Sequence, residues 1–309
     1  MLRRLFLALS ESERLRDWLV RTRVSRRAAR RFVAGEELSQ ALEVTRVLAG
    51  QGIKTTLDHL GENTHTVQEA QAAAGEYLKI LESVRQNGLE ANVSLKLSQM
   101  GLEIDEELCY QNLAQIVAEA QESGSFVRID MEGSDTTERT LRLYERLRTA
   151  GYERVGVVIQ AYLRRSEADI RRLIARGASV RLCKGAYAEL PGVAFASKHK
   201  VDQNYRQLLS LLLGEEAEAK GVQVAIATHD AALINWAKQL IQERASSTEQ
   251  YEFQMLYGIR RDLQRQLAQA GYPVRVYVSY GQEWYPYFMR RLAERPANLF
   301  FLLRQLGRG

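Results

Sequence analysis

Eight short runs rich in β-branched residues recur along this chain, each separated from the next by a long amphipathic stretch. They fall at residues 53–58, 91–97, 126–131, 155–160, 179–184, 222–228, 251–256 and 274–279. Between them, stretches such as 105–122, 135–149, 166–176, 231–244 and 259–269 repeat their apolar residues at helical spacing. Gly88, Gly124, Gly151, Gly177, Gly221 and Gly271 stand where those helices should end, and Asp105, Ser134, Asp135 and Ser166 where helices should begin. Two parallel strands need a crossover between them, and a helix is the usual one. Eight strand–helix units therefore predict an α/β fold closed as a (β/α)8 barrel of the TIM type. A doubly wound open sheet is the alternative, but no Gly-rich fingerprint follows the first strand. With 309 residues and no Pro/Ser-rich linker, one domain is expected: N-terminal helices over 1–50 packing on a barrel over 51–309.

Alternation within the runs says what faces inward. In the first, Ile53, Thr55 and Leu57 oppose Thr56 and Asp58; in the second, Val93, Leu95 and Leu97 oppose Asn92, Ser94 and Lys96. Val127 and Ile129 oppose Arg128 and Asp130; Val180 and Leu182 oppose Arg181 and Cys183; Val274, Val276 and Val278 oppose Arg275 and Tyr277. The apolar face must meet the helices, so the polar face points into the barrel. Polar groups there are costly unless paired or solvated. Those nearest the C-terminal strand ends are Asp58, Lys96, Asp130, Gln160, Arg181 and Tyr277, joined by Thr228 and His229 after the sixth run. Barrel enzymes place their sites at that end, so these residues predict an active-site ring. Arg128 and Arg275 lie deeper and are expected to form a buried polar layer.

The ring is rich in cations. Lys96, Arg181 and Lys184 belong to it, and Arg290 and Arg291 lie on a helical run after the eighth strand, with Glu294 one turn beyond Arg290. Such a set suits a carboxylate or a phosphate, since arginine presents a rigid fork to either. Read alone, the run 287–296 is better explained as a solvated, salt-bridged helix; the ring that precedes it gives the cationic reading its weight. No metal is expected, because none of the four His forms a ligand pair at helical spacing. Cys109 and Cys183 imply no disulfide framework and a reducing compartment. No nucleophile elbow is present. Lys96 as a Schiff-base lysine is the alternative enzyme reading.

No apolar run approaches the roughly 18 residues needed to span a membrane. The net charge of +5 is uneven: residues 1–31 carry +7 and the remainder −2. The basic excess lacks interleaved aromatics, which argues against nucleic acid. Such an arm could instead meet an anionic membrane surface, or be the wet face of surface helices.

The motifs LKLS (95–98), IDME (129–132), IQAYL (159–163), RLCKGAY (181–187), THD (228–230), FQMLYG (253–258) and YFMRRLAERPAN (287–298) occur in this order. In that ordered set, from about Lys54 to Asn298, the chain resembles the FAD-dependent proline dehydrogenases in their monofunctional bacterial form. The resemblance implies a distorted (β/α)8 barrel. It implies oxidation of L-proline to Δ1-pyrroline-5-carboxylate by hydride transfer to flavin N5, with activity rising with pH as the amine loses its proton. Electrons would pass to a quinone, and a separate pyrroline-5-carboxylate dehydrogenase would take the product. By the same resemblance, Arg290, Arg291 and Lys96 hold the proline carboxylate and Glu294 orients the guanidiniums. Asp130 anchors the network, Leu256 and Tyr277 pack on the pyrrolidine ring, and the bulk of Tyr277 implies preference for unsubstituted proline. Non-covalent FAD would meet Met131, Gln160, Arg181, Lys184, Gly185, Ala186, Thr228 and His229, with Arg181 stabilising the reduced flavin. A cytoplasmic enzyme, peripheral at the inner face of the cell membrane, is expected; the run Leu299–Leu303 would either serve that contact or pack on the barrel.

Overall fold

The computed structural model describes residues 29–61, 64–187 and 189–294. The basic segment before residue 29, the end of the motif from Arg295 onward and the run Leu299–Leu303 lie outside the described residues, as do the side chains of Arg290 and Glu294.

The described residues form eight strands and ten helices, in the order α1 (Leu38–Ala49), β1 (Lys54–His59), α2 (Val67–Gln86), β2 (Ala91–Leu95), α3 (Glu106–Glu122), β3 (Val127–Ile129), α4 (Thr137–Thr149), β4 (Val155–Gln160), α5 (Ser166–Ile174), β5 (Ser179–Cys183), α6 (Lys198–Leu212), α7 (Glu215–Ala219), β6 (Gln223–Ala227), α8 (Ala231–Glu243), β7 (Tyr251–Leu256), α9 (Arg261–Gln269), β8 (Val274–Tyr280) and α10 (Trp284–Glu294). Every strand is parallel to its neighbours, and the sheet closes: Thr55 of β1 pairs with Ala91 of β2 on one side and Val276 of β8 on the other. This is the predicted (β/α)8 barrel.

The period-two pattern explains the layering. Leu57, Val93, Leu95, Val127, Ile129 and Val276 are completely buried between sheet and helices, in one continuous apolar core. Removing a side chain of this kind from water contributes about 1.5–3 kcal/mol. Even Thr55 on that face has found a partner, its hydroxyl lying 3.4 Å from that of Thr45 on α1. The inner face carries the expected polar layer. The Arg128 guanidinium donates to Val157 O at 3.2 Å, to Ser179 O at 2.6 Å and to the Ser179 hydroxyl at 3.0 Å. Gly156 leaves room for it: a Cβ there would sit 2.4 Å from Arg128 Nη1. Arg275 pairs with Glu252 at 2.8 Å and donates to Thr55 O at 2.8 Å.

Several boundaries differ from the sequence expectation. β2 stops at Leu95 and β3 at Ile129, so Lys96, Asp130 and Met131 stand on the loops just beyond, although the Asp130 N–H still donates to Leu95 O at 2.8 Å. Asp105 caps α3 as expected, accepting from Leu108 N–H at 2.7 Å. Ser134 and Asp135 do not start α4, which begins at Thr137. Ser134 is recruited elsewhere, its N–H and hydroxyl both donating to Glu189. Ser166 is the first residue of α5, but its hydroxyl donates to Gln160 O at 2.6 Å rather than capping the helix.

Helix α10 follows β8 and sits over the C-terminal mouth. Its Trp284, Tyr285, Tyr287, Phe288 and Met289 form a second apolar cluster with Phe32 and Val33 of the incoming chain, with Leu60 after β1 and with Ile259 after β7. The incoming chain is tied down by Ala34 N–H to Ser279 O at 2.9 Å and by Gly281 N–H to Gly35 O at 3.0 Å. It also passes so close to Gly258 (φ +76°) that a Cβ there would lie 1.6 Å from Arg31 O. The sequence thus builds a roof over the ring of polar strand ends.

Candidate active site

Arg181, projecting from β5 into the barrel and almost fully buried, is the centre of the ring. Three partners from three other strands or their ends fix its fork. Nη1 donates to Asp130 Oδ1 at 2.7 Å, Nη2 to the Ser94 hydroxyl at 3.0 Å, and Nε to Gln254 Oε1. The second Asp130 oxygen accepts the Tyr277 hydroxyl at 2.7 Å, and the guanidinium carbon lies 5.3 Å from the centre of the Tyr277 ring. Burial, with the Asp130 carboxylate beside it, pushes the Tyr277 phenol well above its ordinary range, so it remains a hydrogen-bond donor.

Gln254 continues the chain downward. Its amide donates to Glu252, which Arg275 holds, so a polar ladder runs from the barrel floor to Arg181. Burial raises the Glu252 carboxyl, but Arg275 and two hydrogen bonds more than offset it and leave Glu252 below its ordinary value. The orientation of the Gln254 amide is therefore set from both ends: oxygen to Arg181, nitrogen to Glu252.

Beside this group, Lys96 lies 3.5 Å from Asp58, whose other oxygen accepts the Ser279 hydroxyl at 2.9 Å. Asp58 is wholly buried, and its pairing with Lys96 leaves the Schiff-base reading without a solitary amine. Gln160, at the end of β4, donates through Nε2 to Met131 O at 3.1 Å and Glu132 O at 3.3 Å. That fixes its amide and turns Oε1 into a buried acceptor with no donor among the described residues. His229 accepts the Leu256 N–H on Nε2 at 2.9 Å, which assigns the Nδ1–H tautomer. Leu256 itself packs against the α10 cluster.

The loops after β2, β3, β4 and β5 are pinned together. Glu132 takes both the N–H and the hydroxyl of Ser98, while Glu189 takes Ser134 and lies 3.4 Å from the Tyr162 hydroxyl. Gly185 (φ +102°) lies flat on Tyr162, where a Cβ would meet the ring at 2.1 Å, and Ala186 follows in the same loop. Lys184 is held by Asp202 at 2.5 Å and Asp230 at 2.8 Å, with Lys198 bridging the same two acids. The Lys184 ammonium holds the Asp230 carboxyl well below the usual carboxylate range. Thr228 accepts the Asp230 N–H at 3.2 Å. Cys183 is not an activated thiol: burial pushes it up to about 11.

The structure thus brings Lys96, Asp130, Met131, Gln160, Arg181, His229, Leu256 and Tyr277 to one mouth, with Lys184, Gly185, Ala186 and Thr228 along its β5–β6 rim. Of the arginine pair on α10, the Arg291 guanidinium lies 5.1 Å from the Tyr287 ring centre; the backbones of Arg290 and Glu294 belong to the same helix. Sequence reasoning assigned no role to Ser94, Gln254, Glu252 or Ser279. The signal for three of them was present, since Ser94 alternates with Val93 and Leu95, and Glu252 and Gln254 flank Phe253 in a run that also holds the apolar Met255. Among the described residues no three His, Cys, Asp or Glu side chains converge as a metal site, and no helix is long and apolar enough to cross a membrane.

A family model described as proline dehydrogenase matches residues 41–304. Proline dehydrogenase 1 of Bacillus subtilis (strain 168) is 41% identical, covering 98% of each chain. The proline dehydrogenase of Deinococcus radiodurans is 40% identical over 91% of this chain and 90% of the relative. Among solved structures, proline utilization A (PutA) from Bdellovibrio bacteriovorus, inactivated by N-propargylglycine, superposes with a TM-score of 0.80 at 26% identity. It covers 87% of this chain, which spans only 33% of that longer one.

Proposed function

The chain belongs to the proline dehydrogenase family, oxidoreductases of proline catabolism, and from that premise we propose that it oxidises L-proline to Δ1-pyrroline-5-carboxylate with non-covalent FAD as hydride acceptor and a quinone as the next. The observation that carries this reading is the Arg181 guanidinium, locked by Asp130, Ser94 and Gln254 at the C-terminal mouth of the barrel. A cation so fixed needs no reorganisation when negative charge develops beside it.

The residues present fit a flavin. The Gln160 Oε1 acceptor is buried, fixed in direction and unpartnered among the described residues, as an acceptor awaiting an imide N–H would be. Met131, Gln160, Arg181, Lys184, Gly185, Ala186, Thr228 and His229 would hold FAD, which when bound accepts the hydride from proline C5. Lys96, Arg290 and Arg291 would hold the carboxylate, with Glu294 orienting the two forks. Tyr277 and Leu256 would pack against the pyrrolidine ring, Tyr277 keeping its proton and giving its hydrogen bond to Asp130. The apolar roof of Trp284, Phe288 and Leu60 excludes water from one side of the mouth. Proline must lose its ammonium proton before hydride can leave, so turnover rises with pH. The product opens by hydrolysis to a semialdehyde, which a separate dehydrogenase would consume, and a quinone acceptor would bring the enzyme to a membrane surface.

The test is the visible spectrum of the purified protein. A flavin band that bleaches on addition of proline supports the proposal. A protein that stays colourless and reduces no dye with proline and added FAD overturns it.

A further inference from the structure

A cavity of about 600 Å³ opens at the opposite, N-terminal mouth of the barrel, lined by the first residues of the strands. Its floor is the buried polar layer. There two guanidiniums, Arg128 and Arg275, both more than nine-tenths buried, share one carboxylate. Arg275 takes Glu252 in an ion pair at 2.8 Å. Arg128 is left with neutral partners, the carbonyls of Val157 and Ser179 and the Ser179 hydroxyl, and its Nε has no acceptor among the described residues. Burial, with Arg181 as a like-charged neighbour, pushes the Arg128 guanidinium down to about 9, against the partial opposition of the Glu252 carboxylate.

The rim does not supply the missing counter-charge. Lys54 and Glu90 face each other at a loose 3.9 Å, and Arg85 reaches away to Glu119 at 3.8 Å. Glu249 is exposed, and the exposed Arg154 has no ion pair among the described residues. Asn92 and Ser179 add neutral polar groups to the lining. The cavity is therefore concave, polar and cationic by two charges, with a buried positive charge at its floor. A buried cation with no carboxylate in direct contact carries a desolvation penalty, which a bound anion would relieve.

We propose that this cavity is a binding site for a compact oxyanion of the phosphate or carboxylate class, separate from the candidate active site at the other mouth. Arg128 and Arg275 form its base and Arg154 its entrance, with Asn92 and Ser179 supplying neutral polar contacts. Protein acceptors take Arg128 Nη1 and Arg275 Nε and Nη1, so Arg128 Nε and the Nη2 groups of the two arginines would give the charge-assisted hydrogen bonds to such a ligand.

The experiment is titration calorimetry on the full chain, with inorganic phosphate and succinate as separate probes and sodium chloride holding ionic strength constant. Saturable binding of at least one probe is expected, and the stronger of the two tells a phosphate ligand from a carboxylate one. Arg154→Ala should weaken that binding about tenfold, the loss of one charge-assisted contact. Arg128→Gln should abolish it, and Lys96→Met at the opposite mouth should leave it unchanged. Arg154 is exposed, so its variant tests the site even if Arg128→Gln fails to fold. Heats indistinguishable from chloride for both probes would overturn the proposal, as would an affinity that Arg154→Ala leaves intact or that Lys96→Met removes.

Discussion

Replacing Asp130 by Asn tests how Arg181 is held. The amide has nearly the shape of the carboxylate but no charge. One of its two polar ends can still accept from Arg181, while the other presents an NH2 to the Tyr277 hydroxyl, which now lies 2.7 Å away as a donor. Tyr277 must turn or lose its bond, and the buried guanidinium loses its only ion pair among the described residues, the contact at 2.7 Å. Breaking a buried pair by removing one partner destabilises by roughly 3–5 kcal/mol. Gln254 and Ser94 still accept from Arg181, which points to the low end, about 3 kcal/mol. In a chain of this size that corresponds to a fall in Tm of about 5 °C, read by calorimetry or circular dichroism. Dye reduction by proline should fall about tenfold or more in kcat/KM, because the guanidinium is no longer held against displacement. A double-mutant cycle of Asp130→Asn with Arg181→Gln should give a coupling energy of about 1 kcal/mol or more. A Tm within about 1 °C of the parent, with unchanged kcat/KM and zero coupling, would refute the reasoning.

Three further outcomes follow from other contacts. Gln254→Leu removes the acceptor for Arg181 Nε and unlinks it from Glu252, so kcat should fall by about tenfold with KM little changed; equal activity in parent and Leu variant would count against a positioning role. Arg290→Lys or Arg291→Lys should raise KM for proline severely while the protein keeps its flavin, because a point charge replaces a fork; parent-like KM in both would return α10 to a salt-bridged surface helix. Cys183 and Cys109, pushed up to about 11 and about 12 by burial, should resist alkylation at pH 8 in the native protein and react once it is unfolded, as mass spectrometry would show; rapid native labelling of either would contradict the thiol form.

The barrel and most of its ring were legible in the sequence because a closed parallel sheet imposes one rule on every strand. The face that meets the helices must be apolar, so Ser94 and Lys96, Arg128 and Asp130, and Arg275 and Tyr277 had to point the other way. What alternation cannot encode is pairing. Arg181 meets Asp130 across 51 positions, and Tyr277 meets it across 147, so only barrel closure decides which acid serves which cation. Strand ends were blurred for a related reason. Lys96 and Asp130 continue the alternating pattern past the last ladder residues, Leu95 and Ile129, so pattern alone overran β2 and β3. The start of α4 failed at Ser134 because Glu189, 55 positions on, offers its hydroxyl and N–H a tertiary acceptor. The predicted polar layer at Arg128 and Arg275 was correct, but its imbalance of charge became visible only once Glu252 was seen to serve Arg275 directly.

The central claim is that the ring around Arg181 and Gln160 holds a flavin that proline reduces. Anaerobic addition of L-proline to the purified protein, followed in the visible, tests it most directly. The account predicts a flavin band that bleaches with proline, and bleaches faster as pH rises. A protein that carries no flavin and takes none up, or a flavin band that proline leaves unchanged, would contradict it.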